Sequence, residues 1–105
     1  MSLIVKENLE NEGNTWKFNI AGELDVSCAN ELKEKIEKKL EEKMADIVLD
    51  FENLQYIDST GLGIIVGIMK NLKKNDKDIS IVKAKDNVKK IFNITGLDQI
   101  ISMEG

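Results

Sequence analysis

The sequence contains no histidine, no arginine and a single cysteine, and these shortages remove whole classes of chemistry before any pattern is read. Without histidine the serine–histidine and cysteine–histidine catalytic pairs have no base. The usual zinc constellations lose their nitrogen ligand as well. Cys28 has no second cysteine to pair with, so an internal disulfide is excluded. All fifteen basic residues are lysines. The bidentate guanidinium fork that reads phosphate or guanine is therefore missing, although a lysine still attracts phosphate as a point charge. A net charge of −4 argues against nucleic acid as a partner, because affinity there comes from clustered cations that neutralise phosphates. No signal peptide or long apolar run is visible. Lys6 and Glu7 follow closely on the N-terminus, and the most apolar stretch is interrupted by Gly67 and ends at Lys70. These exclusions predict a cytoplasmic protein with no catalytic residues, metal site or cofactor, and with neither membrane nor nucleic acid among its partners.

What remains is an ordinary globular composition, 42% hydrophobic and 32% charged over 105 residues. That length suits one domain spanning 1–105, which buries about two thirds of the surface its unfolded chain exposes. Leu3 to Leu9 reads as an edge strand, and Asn11, Glu12, Gly13 and Asn14 as a turn tolerant of positive φ. Trp16, Phe18 and Ile20 alternate with Lys17 and Asn19, the period of a half-buried strand, which Ala21-Gly22 is expected to end. Asp25 lies in the connection to a first helix with Ser27 as its expected N-cap and Ala29, Leu32, Ile36 and Leu40 as its buried stripe. Its lysines and glutamates form a solvated face, with four-residue pairs such as Glu31–Lys35 and Glu34–Lys38.

Ile47 to Phe51 form an aliphatic strand, followed by a loop over 52–55 and by Tyr56-Ile57, which returns to the core. A second helix carries Leu62, Ile65, Val66, Ile68, Met69 and Leu72, with Gly67 inside it as a sign of close packing on the sheet. Ile79 to Val82 give a strand, Val88 to Ile94 a third helix closed by Gly96, and Ile100 to Met103 a last short strand. The order predicts an α/β fold with parallel later strands and right-handed crossovers, hence a mixed sheet.

The strand-to-helix junction at Asp58-Ser59-Thr60-Gly61-Leu62-Gly63 is the stretch the chain is organised around. Amides of a helix's first turn have no partners within it, and the macrodipole leaves partial positive charge there, so a phosphate on Ser59 would find donors. The plainer role for Ser59 is an N-cap. Against it, the residue three further on is Leu62, so no capping box forms. Gly61 and Gly63 cost helix stability, roughly 1 kcal/mol each, and lack the β-carbons that would keep another backbone or a partner protein away.

Asp58-Ser59-Thr60-Gly61-Leu62-Gly63 resembles the signature of STAS domains of the anti-sigma factor antagonist type. Gly22-Glu23-Leu24-Asp25 resembles that family's other short motif, and the element order between the two fits as well. The resemblance implies a single STAS-like domain, a mixed four- to five-stranded sheet with helices packed mainly on one face. The family often continues into a further helix where this sequence ends; without it, part of the sheet is bare or covered by a second copy. The resemblance also implies a partner-switching cycle. The unphosphorylated domain binds an anti-sigma factor and frees the sigma factor; the same anti-sigma factor is a serine kinase that modifies Ser59; a serine phosphatase reverses the change. Asp25, Asp58, Ser59, Thr60, Gly61, Leu62 and Gly63 are then the partner-binding residues. Asp25 has capping of its own turn as its plainer role, and Leu62 has core packing. The oligomeric state is expected to be a monomer or a weak dimer. The competing reading is a constitutive STAS-type scaffold or transporter accessory subunit; a serine hydrolase would lack a base.

Overall fold

Alternation along residues 15–20 and the aliphatic block at 47–49 decide the sheet, because residues two apart on a strand share a face. In the computed structural model, which describes residues 3–105, these segments lie side by side with Trp16 opposite Ile47 and Phe18 opposite Leu49. Ile47 and Leu49 in turn face Ile79 and Ile81. All six side chains are buried on one face. Onto that face pack Ala29, Leu32, Ile36 and Leu40 of the first helix, Leu62, Ile65, Ile68, Met69 and Leu72 of the second, and Val88 and Phe92 of the third.

The elements are β1 (Leu3–Glu10), β2 (Thr15–Leu24), α1 (Ala29–Glu42), β3 (Asp46–Asp50), β4 (Leu54–Ile57), α2 (Ser59–Lys74), β5 (Ile79–Val82), α3 (Asp86–Ile94), a 3-10 turn (Leu97–Gln99) and β6 (Ser102–Glu104). Strand order is β1-β2-β3-β5-β6, with β1 antiparallel to β2 and the other pairs parallel. The turn between β1 and β2 takes positive φ at Asn11, Glu12 and Gly13, as its composition predicts. Gly96 closes α3 with a left-handed φ of 78°. The opposite face of the sheet carries Lys17, Asn19, Val48 and Ser80, and among the described residues no helix covers it. Asp50 is the buried charge on that side, 4% exposed. Its carboxylate accepts from Asn19 Nδ2 at 3.2 Å and the Glu52 amide at 3.0 Å, and lies 3.7 Å from Lys17 Nζ.

Several expectations are corrected. The sheet has six strands because residues 54–57, read as the end of a loop and a return to the core, form β4. β4 pairs with the far half of β2, which does not end at Gly22 but continues through a bulge at Gly22/Glu23 to Leu24. The bulge, with Gly22 at φ 109°, lets one long strand carry β3 on its first half and β4 on its second. Gly67 is exposed and not packed on the sheet; a β-carbon there would meet nothing within 4 Å. On α1 neither expected four-residue ion pair is closed; Lys39 and Glu42 meet instead, at 3.6 Å, since solvated pairs gain too little to fix long side chains.

Candidate functional site

Two loops meet at one end of the sheet, the β2–α1 turn and the β4–α2 junction, and a single carboxylate ties them together. Asp58 precedes the first residue of α2 in an extended conformation, the backbone an N-cap requires. One of its oxygens, Oδ1, accepts the Gly61 amide at 2.9 Å, and the other, Oδ2, accepts the Val26 amide of the neighbouring turn at 3.1 Å. The main chain adds a second tie, the Asp58 amide donating to the Leu24 carbonyl at 3.1 Å. The junction is thus fixed to the end of β2 by backbone and side chain together.

With the cap supplied by Asp58, Ser59 becomes the first helical residue and not the cap its plainer reading makes it. Asp is as good a cap as Ser, and the extended residue before the helix is the one whose side chain reaches back to the third amide. Ser59 and Thr60 are both exposed. The Ser59 hydroxyl is therefore presented at the positive end of a sixteen-residue helix without being consumed by its termination.

The other predicted residues divide by face. Gly61 is buried, and a β-carbon on it would lie 2.8 Å from both the Leu24 carbonyl oxygen and the Leu24 Cγ, and 3.0 Å from Ile57 Cγ1. The backbone it admits is the chain's own. Leu62 is 8% exposed and packs in the core, so it is not a protruding anchor. Gly63 is exposed, with open space where a β-carbon would be.

Asp25 shapes its own turn. Its Oδ1 accepts from the Ser27 hydroxyl at 2.6 Å and the Ser27 amide at 3.0 Å, and its carbonyl accepts from the amides of Cys28 and Ala29. The Ser27 hydroxyl, then its amide, hold the Asp25 carboxyl below the usual value of 3.8. Ser27 consequently does not cap α1; the cap position is Cys28, which makes no side-chain capping bond. Cys28 is buried, its thiol 3.0 Å from the Glu23 carbonyl. Between Asp25 and Ser27 stands Val26, 71% exposed, a residue that sequence reasoning passed over. Its signal was an aliphatic side chain inside a turn of polar residues, where the core makes no demand for one.

Among the described residues no group of histidine, cysteine, aspartate or glutamate side chains is arranged to hold a metal ion, and no helix is long and apolar enough to cross a membrane. The two loops together present the Ser59 and Thr60 hydroxyls, the Asp25 and Asp58 carboxylates and one exposed aliphatic residue, Val26.

Fold and site together define a small α/β domain with a mixed sheet, and the chain belongs to the STAS domain family, whose profile matches residues 7–104. The anti-sigma-B factor antagonist of Staphylococcus aureus is 38% identical over 86 residues, covering 82% of this chain and 80% of that protein. In three dimensions the chain is similar to a candidate anti-sigma factor antagonist of Thermotoga maritima, with TM-score 0.89 and 22% identity over 96% of this chain and 86% of the other. The Bacillus cell-fate determinant SpoIIAA, solved in its phosphorylated form, superposes with TM-score 0.74 and 22% identity over 95% and 90% of the two chains. At such identities the structural likeness bears on the fold.

Proposed function

We propose that this chain is an anti-sigma factor antagonist that binds an anti-sigma factor when Ser59 is unmodified and lets it go when Ser59 is phosphorylated. The observation that carries the reading is the exposed Ser59 hydroxyl at the first position of α2, relieved of capping by Asp58 and set beside the Asp25 turn. The antagonist relative in Staphylococcus aureus supports the role. That SpoIIAA, similar in fold, was solved in a phosphorylated form supports the reading of a modified state.

In the modification step the γ-phosphoryl of ATP passes from the anti-sigma factor's nucleotide site to Ser59 Oγ. ADP leaves, and the hydroxyl proton goes to a base of the kinase; this chain contributes the acceptor and its placement. The product carries about −1.5 to −2 charges at neutral pH, next to the Asp58 carboxylate. In a dried interface that pair of anions is costly, so the complex loses affinity while the domain keeps its fold. A serine phosphatase restores the hydroxyl.

The test is binding of the host's anti-sigma factor to wild type, Ser59→Ala and Ser59→Asp, with circular dichroism as a control for folding. Ser59→Ala should bind like wild type and accept no phosphate. Ser59→Asp should lose at least about tenfold, roughly 1.4 kcal/mol. Wild-type affinity in the aspartate variant would refute the charge mechanism, and constitutive binding with no phosphate from any host kinase would point to the scaffold reading.

A further inference from the structure

We infer that Val26 is the apolar contact this site offers its protein partner, that Asp58 holds it in position, and that the partner presents an apolar recess rimmed by lysine or arginine. The inference rests on the functional reading above and names a contact and a positioning residue within it.

Val26 is 71% exposed although its neighbours Leu24 and Cys28 are buried. Two restraints keep it from collapsing onto the core: the Asp25–Ser27 hydrogen bonds within the turn, and the Val26 amide's bond to Asp58 Oδ2 at 3.1 Å. Because the other oxygen of Asp58 accepts from Gly61, the carboxylate fixes Val26 relative to the first turn of α2, where Ser59 stands. An aliphatic side chain on a backbone fixed by hydrogen bonds, beside the proposed site of modification, has less freedom to lose on binding, which favours it as an anchor.

The partner's chemistry follows from charge. No lysine lies between Lys17 and Lys33, nor between Lys43 and Lys70, and these stretches supply both loops. The loops carry Asp25 and Asp58, with Glu23 next to them at the end of β2; Lys33 enters only further along, on the groove it lines with Gly63. An acidic surface around one aliphatic residue is complemented by a basic rim around an apolar recess. Such a partner would be drawn to an added phosphate if long-range charge alone decided, so release has to act locally. A phosphate on Ser59 competes with Asp58 for the Gly61 amide and repels its carboxylate, loosening the tie to Val26.

The experiment measures binding of the full chain to the host's anti-sigma factor for wild type, Val26→Ser, Asp58→Asn and the double variant. Asparagine retains one acceptor oxygen and cannot serve both amides. Val26→Ser should weaken binding about tenfold or more with an unchanged thermal midpoint. Asp58→Asn should also weaken it, and the double variant should bind no worse than Val26→Ser alone, because a positioning residue has nothing left to position. Wild-type binding should fall as salt is raised. Val26→Ser binding within twofold of wild type overturns the contact, additive losses overturn the positioning role, and salt-independent binding overturns the basic rim. A wild-type chain that binds no such factor overturns the functional reading and this inference with it, an outcome distinct from the other three.

Discussion

Gly61 and Gly67 of α2 give opposite predictions for the same substitution, which makes Gly61→Ala the sharpest probe of how the junction is packed. A methyl group at position 61 would arrive 2.8 Å from the Leu24 carbonyl oxygen and 2.8 Å from Leu24 Cγ. The side-chain contact can yield by rotation, but the carbonyl belongs to the end of β2 and already accepts the Asp58 amide at 3.1 Å, so it has little room to retreat. Overpacking of this kind costs about 1–3 kcal/mol, and contact with backbone puts the figure at the upper end. Replacing glycine in a helix returns about 1 kcal/mol. The net expectation is a loss of about 2 kcal/mol, or roughly 8–16 °C in thermal midpoint for a domain of this size. Gly67→Ala meets nothing within 4 Å and should gain about 1 kcal/mol from helix propensity alone. Urea and thermal denaturation of the two variants beside wild type measure both. Equal stability of Gly61→Ala and wild type, or destabilisation by Gly67→Ala, would refute the packing argument.

Other predictions concern the charged groups. Ser27→Ala removes the hydroxyl that chiefly lowers the Asp25 pKa, so the Asp25 carboxyl should titrate closer to 3.8, as followed by NMR. Since the folded-state pKa is depressed, Asp25's contribution to stability is present above the unfolded value and fades as pH falls below about 4 through the folded one, and Ser27→Ala should blunt that acid dependence. Asp50→Ala removes the hydrogen bonds that a buried carboxylate accepts from the Glu52 amide and the Asn19 side chain and should cost about 1–3 kcal/mol in denaturant titration.

Much of this architecture was legible because period and burial agree. The alternation at Trp16, Phe18 and Ile20 and the helical stripe at Leu62, Ile65, Met69 and Leu72 each serve one buried face, and the structure buries those side chains. β4 escaped notice because its burial runs buried, exposed, exposed, buried, a pattern without a period of two. The strand exists because β2 outruns β3 and offers its far half for pairing. Gly67 misled because a glycine inside a helix looks the same in sequence whether it admits a neighbour or faces water. At the site, the sequence located the junction but not the division of labour within it. That Asp58 caps the helix while Ser59 is left free depends on which residue takes the extended backbone, a matter of one position that tertiary contact with Leu24 and Val26 decides.

The most direct measurement is mass spectrometry with peptide mapping after incubating the intact chain with the host's anti-sigma factor and ATP. The account predicts a single added phosphate, located on Ser59 and absent from Ser59→Ala. A phosphate confined to Thr60 or any other residue, or an unmodified chain in the presence of an active kinase, would contradict it.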